Sequence, residues 1–204
     1  GTAQAVIFAS PGATSSHFQD VVFADPAGVT FGSNAAVNGT ATVSSGQVAG
    51  PIRALTIGSG LLDPGYGWHV DTTVFTGNSA VFPDSLTGSV HLQGTDTLAH
   101  PFKARGQLTV DGGGVLTVNG QVLTADSSFT IASSGLLRMT NAADSVDVGG
   151  AFTVNSITSS GGALTAGTLV LRGGFAQVSG SGLDFSASGT HRTVFAGTAP
   201  QAAS

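Results

Sequence analysis

Apolar residues alternate with polar ones in very short bursts along this chain. Typical bursts place Thr between two apolar residues, as in Leu108-Thr109-Val110 and Phe152-Thr153-Val154. Similar bursts lie at residues 29–31, 55–57, 90–92, 129–131, 146–148 and 169–171. A period of two is typical of a strand with one buried and one solvated side, and Thr suits the solvated side of a pleated surface. The pattern therefore predicts many strands of about three to five residues each.

Clusters of Gly, Asn, Asp and Ser separate the bursts. These residues tolerate positive φ or bond to the nearby backbone, so they allow abrupt corners. From Gly106 onward the bursts group into units of about 18 to 21 residues, a period typical of solenoid coils. The units are residues 106–126, 127–144, 145–164 and 165–184. We therefore predict an all-β fold, a single-chain parallel β-solenoid (β-helix) of short rungs, with about four to five rungs between residues 106 and 195.

An antiparallel β-sandwich is the alternative fold. It also has short strands, with turn signals usually spaced about 8 to 12 residues apart. The pair Asn119-Gly120, between Leu116-Thr117-Val118 and Val122-Leu123, is a recognised hairpin signal. The corners here are more frequent than sandwich strands need, which favours the solenoid.

The first hundred residues are less regular than the rest. Residues 21–23, 29–31 and 41–43 continue the strand pattern, whereas residues 61–69 hold the only Tyr, the only Trp and a Pro-Gly turn. We expect this stretch to form a protruding or capping loop. The predicted organisation is one module over residues 1–204, with an irregular, loop-rich insertion at about residues 58–105.

The composition excludes several classes of protein. All eleven acids are Asp, and Lys103 is the only Lys, so little is available to solvate a helix surface. Apolar residues make up 41 %, enough for a core, but no run reaches the roughly 18 residues of a membrane helix. A net charge of −5 without a basic cluster disfavours nucleic acid and anionic membranes as partners. The absence of Cys excludes disulfides and is compatible with bacterial export.

The segment Gly189-Thr190-His191-Arg192-Thr193-Val194-Phe195-Ala196-Gly197-Thr198-Ala199-Pro200-Gln201 resembles the GTHxxxFxGxxxQ motif of tandem repeats in large bacterial surface proteins. Residues 17–23 and 27–46 resemble the continuation of that motif, and residues 164–173 resemble the part before it. The resemblance covers about the first fifty and the last forty residues, in circularly shifted order. It implies a stalk or adhesin-type β-solenoid in which one copy runs into the next, with no catalytic or cofactor residue.

The two ends of the chain also resemble each other, since residues 197–203 repeat residues 1–6 with one inserted Pro. A solenoid exposes unpaired backbone groups at both ends of its stack, and a following copy satisfies them. The predicted function is thus a structural module of an extracellular bacterial surface fibre, stalk or adhesin. Its partners are further copies of itself, as tandem repeats or as subunits of a filament. The predicted head-to-tail contact residues are Gln4, Val6, Phe8, Phe195 and Gln201.

A secreted carbohydrate-binding domain is the alternative function, with a surface glycan as partner. Aromatic rings with a polar edge suit sugar faces, and Tyr66 and Trp68 are such rings. His69 and Asp71 then bond hydroxyl groups. The competing hypothesis, which we favour, is that Trp68 plugs one end of the core.

The remaining polar groupings give no strong chemical signal. Asp144 with Asp147, and Asp20 with Asp25, are the closest acidic pairs, and turn capping is their ordinary role. The five His lack the spacing of a zinc site. His100, Lys103, Arg105 and Asp96 form the one local grouping of basic and acidic residues that a glycan-active enzyme would need. We expect solvated charges there, and therefore no enzyme, no metal and no cofactor.

Overall fold

In a computed structural model, which describes residues 1–65, 67–178 and 185–204, the chain winds into a parallel β-solenoid of about nine turns. The described part contains no helix, and each turn passes through three faces in a fixed order. The strands of each face are paired in parallel with those of the turns before and after. The predicted solenoid is therefore confirmed, and the antiparallel sandwich is wrong.

The first face holds ten strands in a column. They are β1 (Gln4–Val6), β3 (Val29–Phe31), the first part of β6 (Val48–Ile57), the first part of β8 (Trp68–Phe75), β9 (Ser85–Leu86), β12 (Phe102–Ala104), β15 (Val122–Ala125), β18 (Ser145–Val148), β20 (Thr168–Leu171) and β22 (Arg192–Phe195). Between β8 and β9 the ladder is interrupted, and the Thr87 hydroxyl donates to the Trp68 carbonyl there at 2.9 Å. The column therefore runs the whole length of the solenoid.

The second face follows the first around a corner. Its strands are β4 (Ala35–Val37), the later parts of β6 and β8, β10 (Ser89–Leu92), β13 (Leu108–Val110), β16 (Phe129–Ser133), β19 (Phe152–Ser156) and β21 (Phe175–Gln177). Phe18 bridges to Val37 at one end of this face, and Ala203 bridges to Phe175 at the other. This face is the most regular one, because its strands stack without a shift from β8 to β21.

The third face has the shortest and least regular strands. They are β2 (Val21–Phe23), β5 (Thr40–Val43), β7 (Gly60–Leu62), β11 (Thr95–Thr97), β14 (Val115–Thr117) and β17 (Leu136–Arg138). In three further turns this face has a single bridged residue in place of a strand, at Val81, Leu164 and Ala187. Asn119 and Gly120 form a corner between β14 and β15, which belong to different faces, and so do not form the hairpin of the sandwich hypothesis.

The core is built from inward columns that run parallel to the solenoid axis. On the second face one column contains Leu55, Thr73, Val90, Leu108, Phe129, Phe152 and Phe175. In-register parallel stacking places identical positions about 4.8 Å apart, so each side chain packs on its counterpart in the next turn. The rings of Phe129 and Phe152 lie 5.4 Å apart and nearly edge to face. The period-two bursts of the sequence therefore form one continuous core.

The turn length is less constant than the sequence units indicate. Thr73 pairs with Val90, a step of 17 residues, whereas Phe129 pairs with Phe152, a step of 23. Residues 58–105, expected to form a loop-rich insertion, instead continue the stack through β7–β12 in the shorter turns. Corner loops absorb the difference in length, because loops on the surface tolerate insertion at little cost. Within the described residues, no helix is long and apolar enough to cross a membrane.

Candidate functional site

The N-terminal rim, formed by β1, Phe18 and β2, is an open edge of the stack. β1 pairs with β3 on one side and begins the sheet order, so its outer side has no neighbouring strand among the described residues. Gln4, one of the predicted head-to-tail residues, lies exposed on β1. Unpaired strand edges are templates for the addition of another strand. The outer backbone groups of β1 are therefore not bonded to another strand of the described residues.

Apolar side chains surround that edge. Val6, Phe8, Phe18 and Val21 pack against the core but remain partly exposed. The rings of Phe8 and Phe18 lie 5.0 Å apart in an edge-to-face arrangement. Ile7 and Val22 are 75 % and 64 % exposed, and a depression of about 580 Å³ lies between β1 and β2. The core thus reaches solvent at this end.

The C-terminal rim, formed by β22, residues 202–204 and Ala187, is open in the same way. Among the described residues β22 pairs only with β20, and Phe195 at its end is 50 % exposed. The Phe185 ring packs at 5.3 Å from the Phe175 ring and at 6.4 Å from the His191 ring. Both phenylalanines are only partly buried. The last turn therefore presents partly exposed aromatic side chains.

Gln201 forms its hydrogen bonds within the last turn. Its Oε1 accepts the Gly197 N–H at 2.8 Å, and its Nε2 donates to the carbonyls of Leu171, at 2.9 Å, and of Gly173. These bonds fasten the corner that leads from β22 to residues 202–204. Of the predicted contact residues, the structure thus places Gln4, Val6, Phe8 and Phe195 at the two rims and gives Gln201 an internal role.

The similar ends of the sequence occupy different faces. β1 lies in the first-face column, because Gln4 pairs with Val29. Ala203 lies in the second-face column, because it bridges to Phe175. The strand at the C-terminal end that shares a face with β1 is β22. Residues 1–6 and 197–203 are therefore similar in sequence but do not occupy equivalent positions in the solenoid.

Trp68 lies in the core. It is 3 % exposed, its Nε1 donates to the Thr73 hydroxyl at 2.8 Å, and its ring packs 6.2 Å from the Phe23 ring. A buried indole has no face for a sugar, so the stacking role assigned to Trp68 in the carbohydrate alternative is wrong. Trp68 also lies between turns and does not plug an end. Tyr66 lies outside the described residues, while His69 and Asp71 are exposed.

A groove of about 880 Å³ runs beside this corner, where the third face is interrupted at Val81. The residues around it include the buried Leu61, Phe82 and Trp68, together with His69 and His100. The structure brings Trp68 and His69 to the groove but not Asp71. The His100 ring lies between two backbone carbonyls, with Nε2 at 3.0 Å from that of Phe82 and Nδ1 at 2.9 Å from that of Pro101, and the nitrogen that carries the proton donates to its carbonyl.

No known family model, curated protein or solved structure matches this chain.

The basic and acidic grouping near residue 100 separates in the fold. Lys103 points outward from the first face and pairs with Asp126 at 2.9 Å. Asp96 points inward from the third face and is completely buried. Its Oδ1 accepts the Ala80 N–H at 2.7 Å, whereas its Oδ2 has no partner among the described residues. Burial raises the pKa of Asp96 to about 6, and the bond from Ala80 opposes part of that rise.

The acidic residues that the sequence analysis paired accept backbone N–H groups or form an ion pair with an arginine. Asp144 accepts the backbone N–H groups of Gly120 and Asn141, and Asp147 forms a two-bond ion pair with Arg172 at 2.8 and 2.6 Å. That pair raises the pKa of Arg172 further above its usual range. Asp20 and Asp25 accept N–H groups of Thr40 and Ala27. In the part of the chain that the structure describes, no three metal-ligating side chains meet.

The sequence prediction missed several residues of the rims. They are Ile7, Phe18, Val22, Phe175 and Phe185. One signal was present, because Val21-Val22-Phe23 is apolar at every position and a half-buried strand needs apolar residues only at every second one. An apolar residue at the outward position of such a run indicates that the outer side of the strand is suited to a contact and not only to water.

Proposed function

We propose that this chain is a structural module of an extracellular bacterial surface fibre, stalk or adhesin, joined head to tail with further copies. The observation that carries the proposal is the pair of open rims. Each rim combines an unpaired parallel strand edge with partly exposed core side chains.

Parallel pairing gives the proposed contact a direction. The strands of one face all run the same way, so the outer edge of β22 and the outer edge of β1 are complementary when two copies share one axis. Contact between two N-terminal rims would make the strands antiparallel and would not continue the columns. The assembly is therefore heterologous, and heterologous contacts of this kind generate filaments.

The bacterial surface location rests on the sequence. The resemblance of residues 189–201 to a repeat motif of bacterial surface proteins and the absence of Cys support it. A low charge and a side surface of alternating Thr positions, such as Thr130 and Thr153, suit a solvated stalk. These features fit a rod whose sides are solvated and whose ends form the contacts with further copies.

The test is assembly of the purified chain at increasing concentration. One module of about nine turns is about 43 Å long. We expect light scattering and negative-stain electron microscopy to show rods of one module's width and several modules' length. Monodisperse single modules at every concentration would contradict the proposal.

A matched pair of variants assigns the contact to the rims. Phe195→Asp places a charge in the C-terminal rim, where Phe195 is 50 % exposed, and is expected to abolish the rods. Val122→Asp is the control, because Val122 is 45 % exposed on the same face in the middle of the stack. Circular dichroism establishes that both variants remain folded. Rods that survive Phe195→Asp, or disappear equally in both variants, would contradict an end-to-end contact.

A further inference from the structure

The first and third faces are interrupted at the same level of the stack. Among the described residues, β9 pairs with β12 but not with β8. On the third face, the Val81 N–H donates to the Ser59 carbonyl at 3.1 Å, and the Val81 carbonyl accepts the Leu61 N–H at 2.9 Å. The next donor of a parallel ladder would be residue 83, but Pro83 has no N–H. The sequence therefore ends the third-face ladder at this point.

The groove of about 880 Å³ lies in this double interruption and reaches from the third face to the first. A second depression, of about 330 Å³, lies on the first face, and Asp84 borders both. We call the two together the lateral channel. Its border includes Leu62, Asp63, His69, Val81, Asp84 and Lys103. Both volumes are in the range of ligand sites, and the elongated outline suits a linear chain.

Two exposed aliphatic side chains border the channel on adjacent turns of the third face. Leu62 is 44 % exposed and Val81 is 49 % exposed. Single exposed apolar residues are common on protein surfaces, but apolar residues gathered in one depression mark a contact site. The side chains of Leu61 and Phe82 lie buried beneath them. The channel therefore offers an aliphatic contact surface.

The charges on either side of that surface are negative. The Asp63 carboxylate accepts two backbone N–H groups of its own corner, at 3.1 and 3.3 Å, which holds it in place. The Asp84 side chain is 97 % exposed, and its Oδ1 lies 3.4 Å from Nδ1 of His100. Among the described residues that line the groove there is no Lys or Arg. Lys103, at the second depression, is paired with Asp126 at 2.9 Å, so the field of the channel attracts cations.

We infer that the lateral channel binds an extended peptide in which one aliphatic side chain stands between two basic ones. Residues i, i+2 and i+4 of an extended chain point to the same side. A peptide of sequence Lys-Ala-Leu-Ala-Lys thus presents two ammonium groups and one isobutyl group together. The isobutyl group covers Leu62 and Val81, and the ammonium groups lie beside Asp63 and Asp84.

A glycan fits the channel less well. Sugar faces stack on exposed aromatic rings. The aromatic side chains among the described lining residues are Trp68 and Phe82, which are 3 % and 5 % exposed. The channel lies on the side of the stack and includes no residue of either rim, so its ligand binds to single modules whether or not these assemble.

An NMR titration of the single module with acetylated and amidated Lys-Ala-Leu-Ala-Lys tests the inference. The five His are reporters, because His69 and His100 line the groove whereas His17, His91 and His191 do not. We expect the ring resonances of the first two to shift to saturation and those of the other three to stay unchanged. The peptide Glu-Ala-Leu-Ala-Glu should cause no shift. Raising the salt concentration from about 20 to about 200 mM should weaken the binding of the basic peptide, since salt screens exposed charges.

Charge-neutralising variants assign the binding to the two carboxylates. Asp63→Asn keeps an acceptor for the corner N–H groups, and Asp84→Asn alters an exposed side chain, so both variants should fold. Each should weaken binding about threefold, and the double variant about tenfold. Asp71→Asn is the matched control, because Asp71 is exposed on β8 but does not line the groove, and its affinity should equal that of the wild type.

Three outcomes would overturn the inference. The first is an equal affinity of wild type and double variant for the basic peptide. The second is equal binding of the basic and the acidic peptide. The third is a shift of the His69 and His100 rings with cellohexaose, a neutral oligosaccharide, but not with the basic peptide, which would assign the channel to a glycan.

Discussion

The carboxylate of Asp96 accepts the backbone N–H of Ala80 at 2.7 Å at the point where the third face changes from one sheet to another. The ladder from β2 to β7 ends in the single bridge between Gly60 and Val81, and the next ladder starts at β11. At this break the side chain of Asp96 replaces a backbone acceptor. The joint therefore depends on a buried acid whose second oxygen has no partner among the described residues.

Asp96 gives the protein a pH-dependent stability of defined sign. Its pKa is raised from 3.8 in the unfolded chain to about 6 in the fold, so the folded state binds more protons between these values. Its contribution to the free energy of unfolding is therefore greatest below pH 4, falls as the pH rises to 6 and is constant above. The change is on the order of 3 kcal/mol.

Urea unfolding at pH 4, 5, 6 and 7 measures this contribution. Asp96→Asn keeps an acceptor for Ala80 but does not titrate, so the difference between wild type and variant should shrink or change sign across the window. Asp71→Asn, at an exposed side chain with no ion pair among the described residues, is the control and should retain the wild-type profile. Parallel profiles for wild type and Asp96→Asn would show that Asp96 does not titrate in this range.

The stacked corner at Gly77 is expected to reject any side chain. A Cβ there would lie 1.6 Å from the Gly58 carbonyl oxygen, which is backbone and has no space to yield. Gly77→Ala should reduce the free energy of unfolding by at least the upper end of the usual range of about 1–3 kcal/mol for overpacking. Gly174→Ala is the matched control, since its nearest atom lies at 3.5 Å, and thermal unfolding should show a change several times smaller.

Phe152 is the centre of the aromatic column in the later turns. Its ring lies 5.4 Å from Phe129 and 6.1 Å from Phe175, and it is 1 % exposed. Phe152→Ala should leave a cavity and destabilise the fold by about 3–5 kcal/mol. Ile157→Ala, at a side chain that is 62 % exposed, should change the free energy by less than about 0.5 kcal/mol in the same denaturant titration. A small effect of Phe152→Ala would mean that the column is loosely packed.

Trp68 should act on stability through its packing and its one hydrogen bond. Trp68→Phe keeps most of the ring volume but leaves the Thr73 hydroxyl, which is buried, without its donor, at a cost of about 1–3 kcal/mol. Trp68→Ala should cost more, about 3–5 kcal/mol. Chemical unfolding followed by circular dichroism distinguishes the two. His69→Ala, on the adjacent exposed position, is the control and should be nearly neutral.

Much of the fold was determined by the sequence alone. Every burst with a period of two, including residues 29–31, 108–110 and 152–154, lies in a strand, because alternation reflects the local geometry of a pleated chain. One expectation from the sequence was wrong: Asp96 was expected to be a solvated charge, and it is completely buried. The absence of Glu and the frequent glycines at corners also pointed to a strand-only stack, which is a property of composition and spacing.

Tertiary structure decided what depends on the neighbouring turn. The same period-two pattern fits a stack with turns of 17 or 23 residues, so only the pairing of Thr73 with Val90 and of Phe129 with Phe152 fixed the turn lengths. Burial of Trp68, the internal role of Gln201 and the different faces of β1 and residues 202–204 all follow from which turn lies above and below. Local alternation specifies the inward side of a strand, whereas register and phase arise from contacts between residues about twenty positions apart.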